Sequence, residues 1–311
     1  MELIRGIHNI LPKHHGCVLT IGNFDGVHRG HAEVINRLVS KASHFGLPAV
    51  AMTFEPQPQE YFRGENAPAR LSLLRDKVTL LDELAIERIL CVNFNKRFAH
   101  YSAEDFIEQL LVKSLGVKYL VVGDDFCFGQ GRQGNFDMLR KAGEKFGFTV
   151  VSTQSFTLGD KRVSSTAIRQ LLASGNLEQA RRLLGHPFTL SGKVAHGQKI
   201  GRTIGFPTAN IALKRKVSPV KGVFAVKLYW NDSDVYEGVA NVGFRPTVNG
   251  QVCQLEVHLL DFDGDLYGKT VEVELVAKIR DEQPFGSLDA LKKQIKNDAD
   301  RARALLGSDA G

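Results

Sequence analysis

Cysteine is scarce and badly placed for pairing. Cys17, Cys91, Cys127 and Cys253 are the four in 311 residues, and no two form a CxxC pair. A disulfide framework or a cysteine metal site is therefore not expected, and the four read as buried, reduced thiols of a cytoplasmic protein. No run of about 18 apolar residues occurs, so no membrane-spanning helix is expected. Met1 to Gly16 lacks a continuous apolar stretch followed by a small-residue cleavage site, which argues against a secretory signal. Internal repeats and low-complexity tracts are missing as well. The charge excess of +6, with a pI near 9.1, is not gathered into any cluster. Scattered Lys and Arg suit a polyanionic small molecule as well as a nucleic acid, so charge alone decides nothing.

What is present reads as two domains, as the length also implies. The first 180 or so residues alternate strand-like and helix-like stretches. Residues 17–21, 48–54, 89–94 and 119–123 are short apolar runs, and 31–39 places Val34, Ile35 and Leu38 on one helical face. Uninterrupted apolar strands separated by helices predict a Rossmann-like α/β domain with a parallel sheet covered on both faces. After Gly185-His186-Pro187 the texture changes. Strands are expected over 188–194, 222–230, 236–242, 253–262 and 270–278, with Asn231-Asp232, Asn249-Gly250 and Asp263-Gly264 as turns. That pattern predicts a small antiparallel β-barrel or sandwich. A final helix is expected from Ser287 to Leu306, capped by Ser287, with Leu288, Leu291, Ile295, Ala299, Ala302 and Leu306 lying on the barrel. The domains are expected at 1–184 and 187–311, with the boundary near 184–188.

Two motifs about 180 residues apart carry the chemistry. The first is Gly22-Asn23-Phe24-Asp25-Gly26-Val27-His28-Arg29-Gly30-His31, between an expected strand and an expected helix. Such a turn presents backbone N–H groups to an anion, and Gly22, Gly26 and Gly30 let the backbone come close to a phosphate. His28 and His31 reach the same anion, where imidazole stabilises charge building up at phosphorus. Downstream, Ser164-Ser165-Thr166-Ala167-Ile168-Arg169 reads as a capped helix start carrying a second anion site at Arg169. By contrast, Gly129-Gln130-Gly131-Arg132-Gln133-Gly134 has the spacing of a dinucleotide turn but neither follows its strand directly nor has an acidic residue about 20 positions on, which excludes a NAD-type site.

The second motif is Gly201-Arg202-Thr203-Ile204-Gly205-Phe206-Pro207-Thr208-Ala209-Asn210. Pro207 stiffens the turn and holds Phe206 extended. Thr208 and Asn210 offer oxygens that a hard cation such as Mg²⁺ accepts, although a polar turn does so too. In Leu255-Glu256-Val257-His258-Leu259 the alternation sets Glu256 and His258 on the face opposite the three apolar residues.

The first motif and the Ser164–Arg169 run resemble the nucleotidylyltransferase superfamily. Gly201–Asn210, Asn241–Thr247, Leu255–Leu259 and Ile279–Phe285 resemble riboflavin kinases. Over nearly the whole chain the resemblance is to the bacterial bifunctional riboflavin kinase/FMN adenylyltransferases, the prokaryotic FAD synthetases. It implies that the barrel makes FMN from riboflavin and ATP, and that the α/β domain joins FMN to AMP, releasing pyrophosphate. It assigns Glu256 as the kinase base and His28, His31 and Arg169 to adenylyl transfer. It gives ATP or phosphate contacts to Gly22, Asn23, Phe24, Gly30, Ser164, Thr166, Gly201, Gly205, Thr208 and Asn210, with Mg²⁺ on Thr208 and Asn210. It gives flavin contacts to Phe54, Pro56, Phe62, Asp125, Phe128, Arg245 and Arg280. Phe244 and Asp125 depart from the commonest pattern, where a small hydroxyl residue and Asn are frequent.

Two competitors stand beside this reading. One is a single-activity adenylyltransferase whose barrel binds flavin without turning it over. The other is a nucleic-acid-binding protein, for which Phe224, Tyr229 and Trp230 are the only hint of an aromatic face. The main reading implies ATP, riboflavin and FMN as partners, with no nucleic acid and no membrane.

Overall fold

The computed structural model describes residues 1–153, 157–158, 161–195, 205–213, 215, 217–231, 234–247 and 250–307, with 158, 161, 245–247 and 250–252 described by backbone alone. The chain forms two compact units, Met1–Pro68 with Ser72–Ser164, and Ala69–Leu71 with Ser165–Gly311.

The first unit holds a six-stranded sheet in the order β1-β4-β3-β2-β5-β6. Its strands are β1 (Glu2–Arg5), β2 (Cys17–Ile21), β3 (Ala49–Glu55), β4 (Arg88–Asn93), β5 (Val117–Gly123) and β6 (Thr149–Thr153), and every neighbouring pair is parallel. β2 is buried along its whole length, and adjacent residues feed opposite faces. Leu19 joins Met52, Leu90 and Leu120 on one side. Val18 joins Ala51, Ile89 and Val121 on the other, against Ile35 and Leu38 of α1 (Arg29–Phe45). Burial on both sides is why these strands read as unbroken apolar runs. The edge strands β1 and β6 were not expected, because they are short and only partly buried.

Helices α2 (Pro58–Arg63) and α3 (Leu74–Glu83) follow β3. α4 (Lys96–Ala99), α5 (Ala103–Asp105) with a π-helical continuation over Phe106–Ser114, and α6 (Phe136–Phe146) complete the covering. A small antiparallel pair, β7 (Thr157–Leu158) and β8 (Lys161–Arg162), comes last. Because β2 is flanked by β3 and β5, the strand order reverses around its C-terminal end. That is where open α/β sheets bind ligands, and it is where the first motif begins.

The second unit contains a closed antiparallel barrel, β10-β13-β12-β11-β14-β9. Its strands are β9 (Thr189–Ala195), β10 (Ala209–Ala212), β11 (Gly222–Trp230), β12 (Asp234–Thr247), β13 (Gly250–Leu259) and β14 (Thr270–Arg280). β10 was read only as part of a motif; it pairs with both β13 and β9 and so closes the barrel. Along β11, Phe224, Val226 and Leu228 are fully buried, while Val223 and Ala225 alternate onto the outer wall beneath Ala299, Ala302 and Leu306.

Those last three belong to the C-terminal helix α9 (Leu288–Gly307), capped as expected by Ser287 Oγ accepting from the Ala290 N–H at 3.1 Å. Leu288, expected in its apolar stripe, is instead 60% exposed: it sits in the first turn, ahead of the stretch that meets the barrel. The helices α7 (Ser165–Ala173) and α8 (Leu177–Leu184) group with the barrel unit rather than ending at the expected 184–188 junction. α8 buries Leu177, Ala180, Leu183 and Leu184 and packs against β14. The change of texture at Pro187 marks where strands begin, and says nothing about which unit the preceding helices cover.

Candidate active sites

The first motif leaves β2 in a contorted turn. Phe24, Gly26 and Val27 take φ of 45°, 81° and 37°. For a β-branched residue such as Val27 this is unusual, and each such position costs of order 1–3 kcal/mol unless its surroundings impose it. Phe24 and Val27 are each only 3% exposed, packed into the core beside α1. Gly22 lies beneath the Phe24 ring, where an added Cβ would come within 3.2 Å. His28 caps α1, its Nδ1 accepting from the His31 N–H at 3.3 Å. That bond leaves the His28 proton on Nε2, a donor suited to a phosphoryl oxygen. The His28 and His31 rings stack at 3.6 Å. Burial first, then the neighbouring His28 and Lys77, hold His31 well below its ordinary value, so it is a neutral imidazole near pH 7.

Three residues outside the motif, Ser72, Lys77 and Thr53, hold this turn from behind. Ser72 donates its N–H to Asp25 Oδ1 at 3.2 Å and accepts the Gly26 N–H on its Oγ at 2.9 Å. Gly26 therefore serves the turn itself rather than offering its N–H to a phosphate. Lys77 of α3, only 1% exposed, donates from Nζ to Thr53 Oγ1 at 3.4 Å, and Thr53 donates onward to the Asn23 carbonyl at 3.4 Å. A chain of donors ending on a backbone carbonyl polarises along its length and stiffens what it holds. The Asn23 Oδ1 and His31 Nδ1 atoms are buried and accept no hydrogen bond among the described residues. A buried lysine three residues into an amphipathic helix was the available signal.

The other expected residues are distributed as follows. Gly30 lies in the first turn of α1. Phe54 is buried, with its ring on Phe94 and Phe98, and Phe128 is buried against Phe106 and Phe126. Phe62 is 68% exposed and edge-on to Tyr61 and Phe94. Pro56 follows a cis peptide after β3, and Asp125 is exposed in the loop after β5. Ser164 closes the first unit, whereas Thr166 and Arg169 lie on α7 in the second, where Arg169 Nε donates to the Ala69 carbonyl at 2.6 Å.

In the barrel, register does the assembling. Arg280 faces Val223, Val223 faces Asn241, Asn241 faces Glu256, and Glu256 faces Asn210. One row thus crosses β14, β11, β12, β13 and β10, and side chains of directly opposed residues share a face. Their neighbours Ala240, Val242, Leu255 and Val257 are fully buried inside the barrel, so the polar row lies on the outer wall. Gly205 turns with φ 86° before Pro207, and His258 Nδ1 donates to the Pro207 carbonyl at 2.9 Å, tying Thr208 and Asn210 to β13. Asn210 Oδ1 accepts from Gln254 Nε2 at 2.8 Å.

Arg280 is bound to the buried Asp298 of α9, with Nε–Oδ1 at 3.0 Å and Nη2–Oδ2 at 2.8 Å, and its Nη1 donates to the Asp281 carbonyl at 2.9 Å. Of the remaining expected residues, Gly201 lies outside the described residues, and Arg245 is described by backbone alone. Phe224 fills the barrel, and Tyr229 donates to Glu274 at 2.7 Å, so the aromatic residues of β11 make no shared exposed face.

A cavity of about 450 Å³ lies beside this row, lined by Thr208, Asn210, Val257 and the 262–267 turn with Asp263 and Asp265. Asp263-Gly264 has the pattern of a hairpin turn, and the second carboxylate at Asp265 is the local signal that it also lines a site. A second cavity of about 490 Å³ runs between Phe206, His258 and the Lys296, Asp300 and Arg303 side of α9. Among the described residues no His, Cys, Asp and Glu group could cage a metal. The Thr208 hydroxyl and the Asn210 Oδ1 are neutral oxygens. Such a set fits a cation held mainly by substrate phosphates and water, as Mg²⁺ is.

A strained glycine turn with two stacked histidines at a sheet's switch point, and a polar row on a closed barrel, define a two-site phosphate-transfer enzyme. A family model for FAD synthetase matches residues 10–167, and one for riboflavin kinase matches residues 184–306. The bifunctional riboflavin kinase/FMN adenylyltransferase of Escherichia coli K12 is 55% identical over 99% of this chain and 98% of its own length. That of Haemophilus influenzae is 52% identical over 99% of this chain and 100% of its own. A crystal structure from Streptococcus pneumoniae, described as a macrolide-efflux protein, shares the fold with TM-score 0.82 and 31% identity, covering 97% of this chain and 99% of that one. Among the described residues no helix is long and apolar enough to cross a membrane. The chain belongs to the bifunctional riboflavin kinase/FMN adenylyltransferase family. It is a transferase with both activities, which sets aside the single-activity reading.

Proposed function

We propose that residues 187–311 phosphorylate riboflavin and residues 1–184 adenylylate the product, each reaction drawing on its own ATP. In the barrel, Glu256 takes the proton from the terminal ribityl hydroxyl as that oxygen attacks the γ-phosphate and ADP leaves. Thr208 and Asn210 hold the phosphates and would hold Mg²⁺, which when bound neutralises triphosphate charge and orients the chain for attack. Gly201, Gly205, Arg245 and Arg280 complete the nucleotide and flavin contacts, Arg280 through whatever donor capacity Asp298 leaves. The observation that carries this assignment is the direct register of Glu256 with Asn210 across β13 and β10.

Within residues 1–184, the FMN phosphate attacks the α-phosphate of ATP and pyrophosphate leaves. The nucleophile is already an anion, so no base is required, and rate comes from positioning and charge stabilisation. His28 offers Nε2–H, neutral His31 offers its one N–H, and Asn23, Phe24, Ser164, Thr166 and Arg169 bind the nucleotide. Phe54, Pro56, Phe62, Asp125 and Phe128 border the flavin. Burial of Phe54 and Phe128 in the core means that Phe62, the exposed ring, is the one poised to stack. Free thiols at all four cysteines, three of them buried, support a cytoplasmic enzyme.

The test is a chromatographic time course of riboflavin with ATP and Mg²⁺ on wild type, His31→Ala and Glu256→Ala. Wild type should make FMN and then FAD, His31→Ala should stop at FMN, and Glu256→Ala should turn over only supplied FMN. Full kinase activity in Glu256→Ala would remove the base from the barrel.

A further inference from the structure

Asn241 stands in the outer row between Val223 and Glu256, and its side chain is half satisfied. Nδ2 donates to Glu282 Oε1 at 3.3 Å. A carboxylate only accepts, so this bond fixes which end of the amide is which. Oδ1 is then the atom left over, and it is buried with no donor among the described residues. The arrangement is built rather than incidental. Lys221 Nζ holds the other Glu282 oxygen at 3.5 Å. Two residues along β12 from Asn241, Gly243 leaves the space that Glu282 occupies, since an added Cβ there would collide with its carboxylate. A buried acceptor left unmet costs about 1–3 kcal/mol, so such an atom in a supported position points to a donor that arrives from elsewhere.

The register says which donor. Directly opposed residues on antiparallel strands bring their Cβ atoms to roughly 4.5–5.5 Å of each other, so the Asn241 Oδ1 is one strand removed from the carboxylate assigned as base. The group that Glu256 works on is a hydroxyl at the end of a chain of hydroxyls. We propose that Asn241 is a substrate-binding residue of the kinase site, its Oδ1 accepting a hydrogen bond from a ribityl hydroxyl inboard of the one phosphorylated. The contact fixes the sugar chain at two points, and so sets which hydroxyl meets Glu256. It also disfavours flavins without the polyol, because they leave the acceptor unmet. The inference rests on the assignment of Glu256 as the base.

The experiment compares wild type, Asn241→Leu and Glu256→Gln with riboflavin and with analogues each lacking one inboard ribityl hydroxyl. Asn241→Leu should lower kcat/KM for riboflavin roughly 10- to 100-fold, mainly through KM. With one of the analogues, the variant and wild type should become equal. An equal loss across all analogues would mean that Asn241 merely holds Glu282, and would overturn the proposal; so would unchanged riboflavin kinetics. A far-UV circular dichroism spectrum and a urea midpoint for loss of kinase activity that match wild type report that the variant's barrel is folded. Glu256→Gln separates the two claims: retained kcat with every flavin removes the base, while the analogue dependence of Asn241→Leu is still read independently.

Discussion

The two active sites are built on opposite principles. In the α/β unit the candidate turn is ten consecutive residues, from Gly22 to His31, with positive φ at Phe24, Gly26 and Val27 and buried groups holding it from behind. In the barrel the candidate row crosses five strands, and register sets Asn210, Glu256 and Asn241 beside one another, with Val223 between Asn241 and Arg280. The first site is therefore rigid because its surroundings over-determine it. The second is aligned by strand pairing, unbroken from β12 through β13 to β10 and shifted in register beside Val223 where β11 meets β14. A substitution near the turn should act through shape, and one in the row should act through a single missing group.

Glu256→Gln is the sharpest break, with riboflavin phosphorylation expected to fall by roughly 100- to 10,000-fold while supplied FMN is still converted to FAD. His31→Ala reverses the pattern: adenylyl transfer should drop on the order of 100- to 1,000-fold with kinase turnover intact, as single-reaction assays would report. If either variant lost both reactions together, the two sites would not be separable in this way.

Asp298→Ala probes the barrel's scaffold. It strands Arg280, whose guanidinium reaches that buried carboxylate at 2.8–3.0 Å, and should cost about 3 kcal/mol of barrel stability in denaturant unfolding. Kinase activity should then be lost at lower urea than adenylylation. Lys77→Met keeps the bulk beneath the phosphate turn and removes the donor to Thr53. Adenylyl transfer should fall about tenfold with the melting temperature little changed, and Thr53→Val should reproduce part of that loss. Equal rates for Lys77→Met and wild type would show that packing alone holds the turn.

The smallest effect is one of pH. His31 is kept neutral by burial first, then by His28 and Lys77, while in the unfolded chain it titrates near its ordinary 6.5. Above that value neither state binds the proton. Below it only the unfolded state does, so the α/β unit should lose stability as pH falls through 6.5, by at most about 1.4 kcal/mol per pH unit. Urea midpoints at pH 7.5 and 5.5 should separate for wild type and converge for His31→Gln.

Much of this fold is legible in the order of its residues. The strands β2, β3, β4 and β5 are legible because burial on both faces leaves an apolar run with no alternative reading. β1 and β6 lie at the edges, and β10 is four residues long inside a polar motif, so composition does not announce them. The stripe of α9 was legible from Ala299 onward; Leu288 was over-read because periodicity cannot say where a helix leaves its partner. Of the candidate residues, those in the contiguous turn lie together, whereas Asn241, Ser72, Thr53 and Lys77 are ordinary polar residues until packing gives each a partner.

What the chain's order of residues determined by itself is what depends on near neighbours: an α/β domain followed by a barrel, the phosphate turn with its two histidines, and the residue types on which two phosphate transfers rest. Strand period, turn chemistry and glycine placement are local properties, and they survive in a linear reading. Only the tertiary structure decided that α7 and α8 group with the barrel, that a buried lysine backs the turn, and that Asn241 stands beside Glu256. Those facts depend on burial and on register, and both are set by residues tens of positions away in the chain.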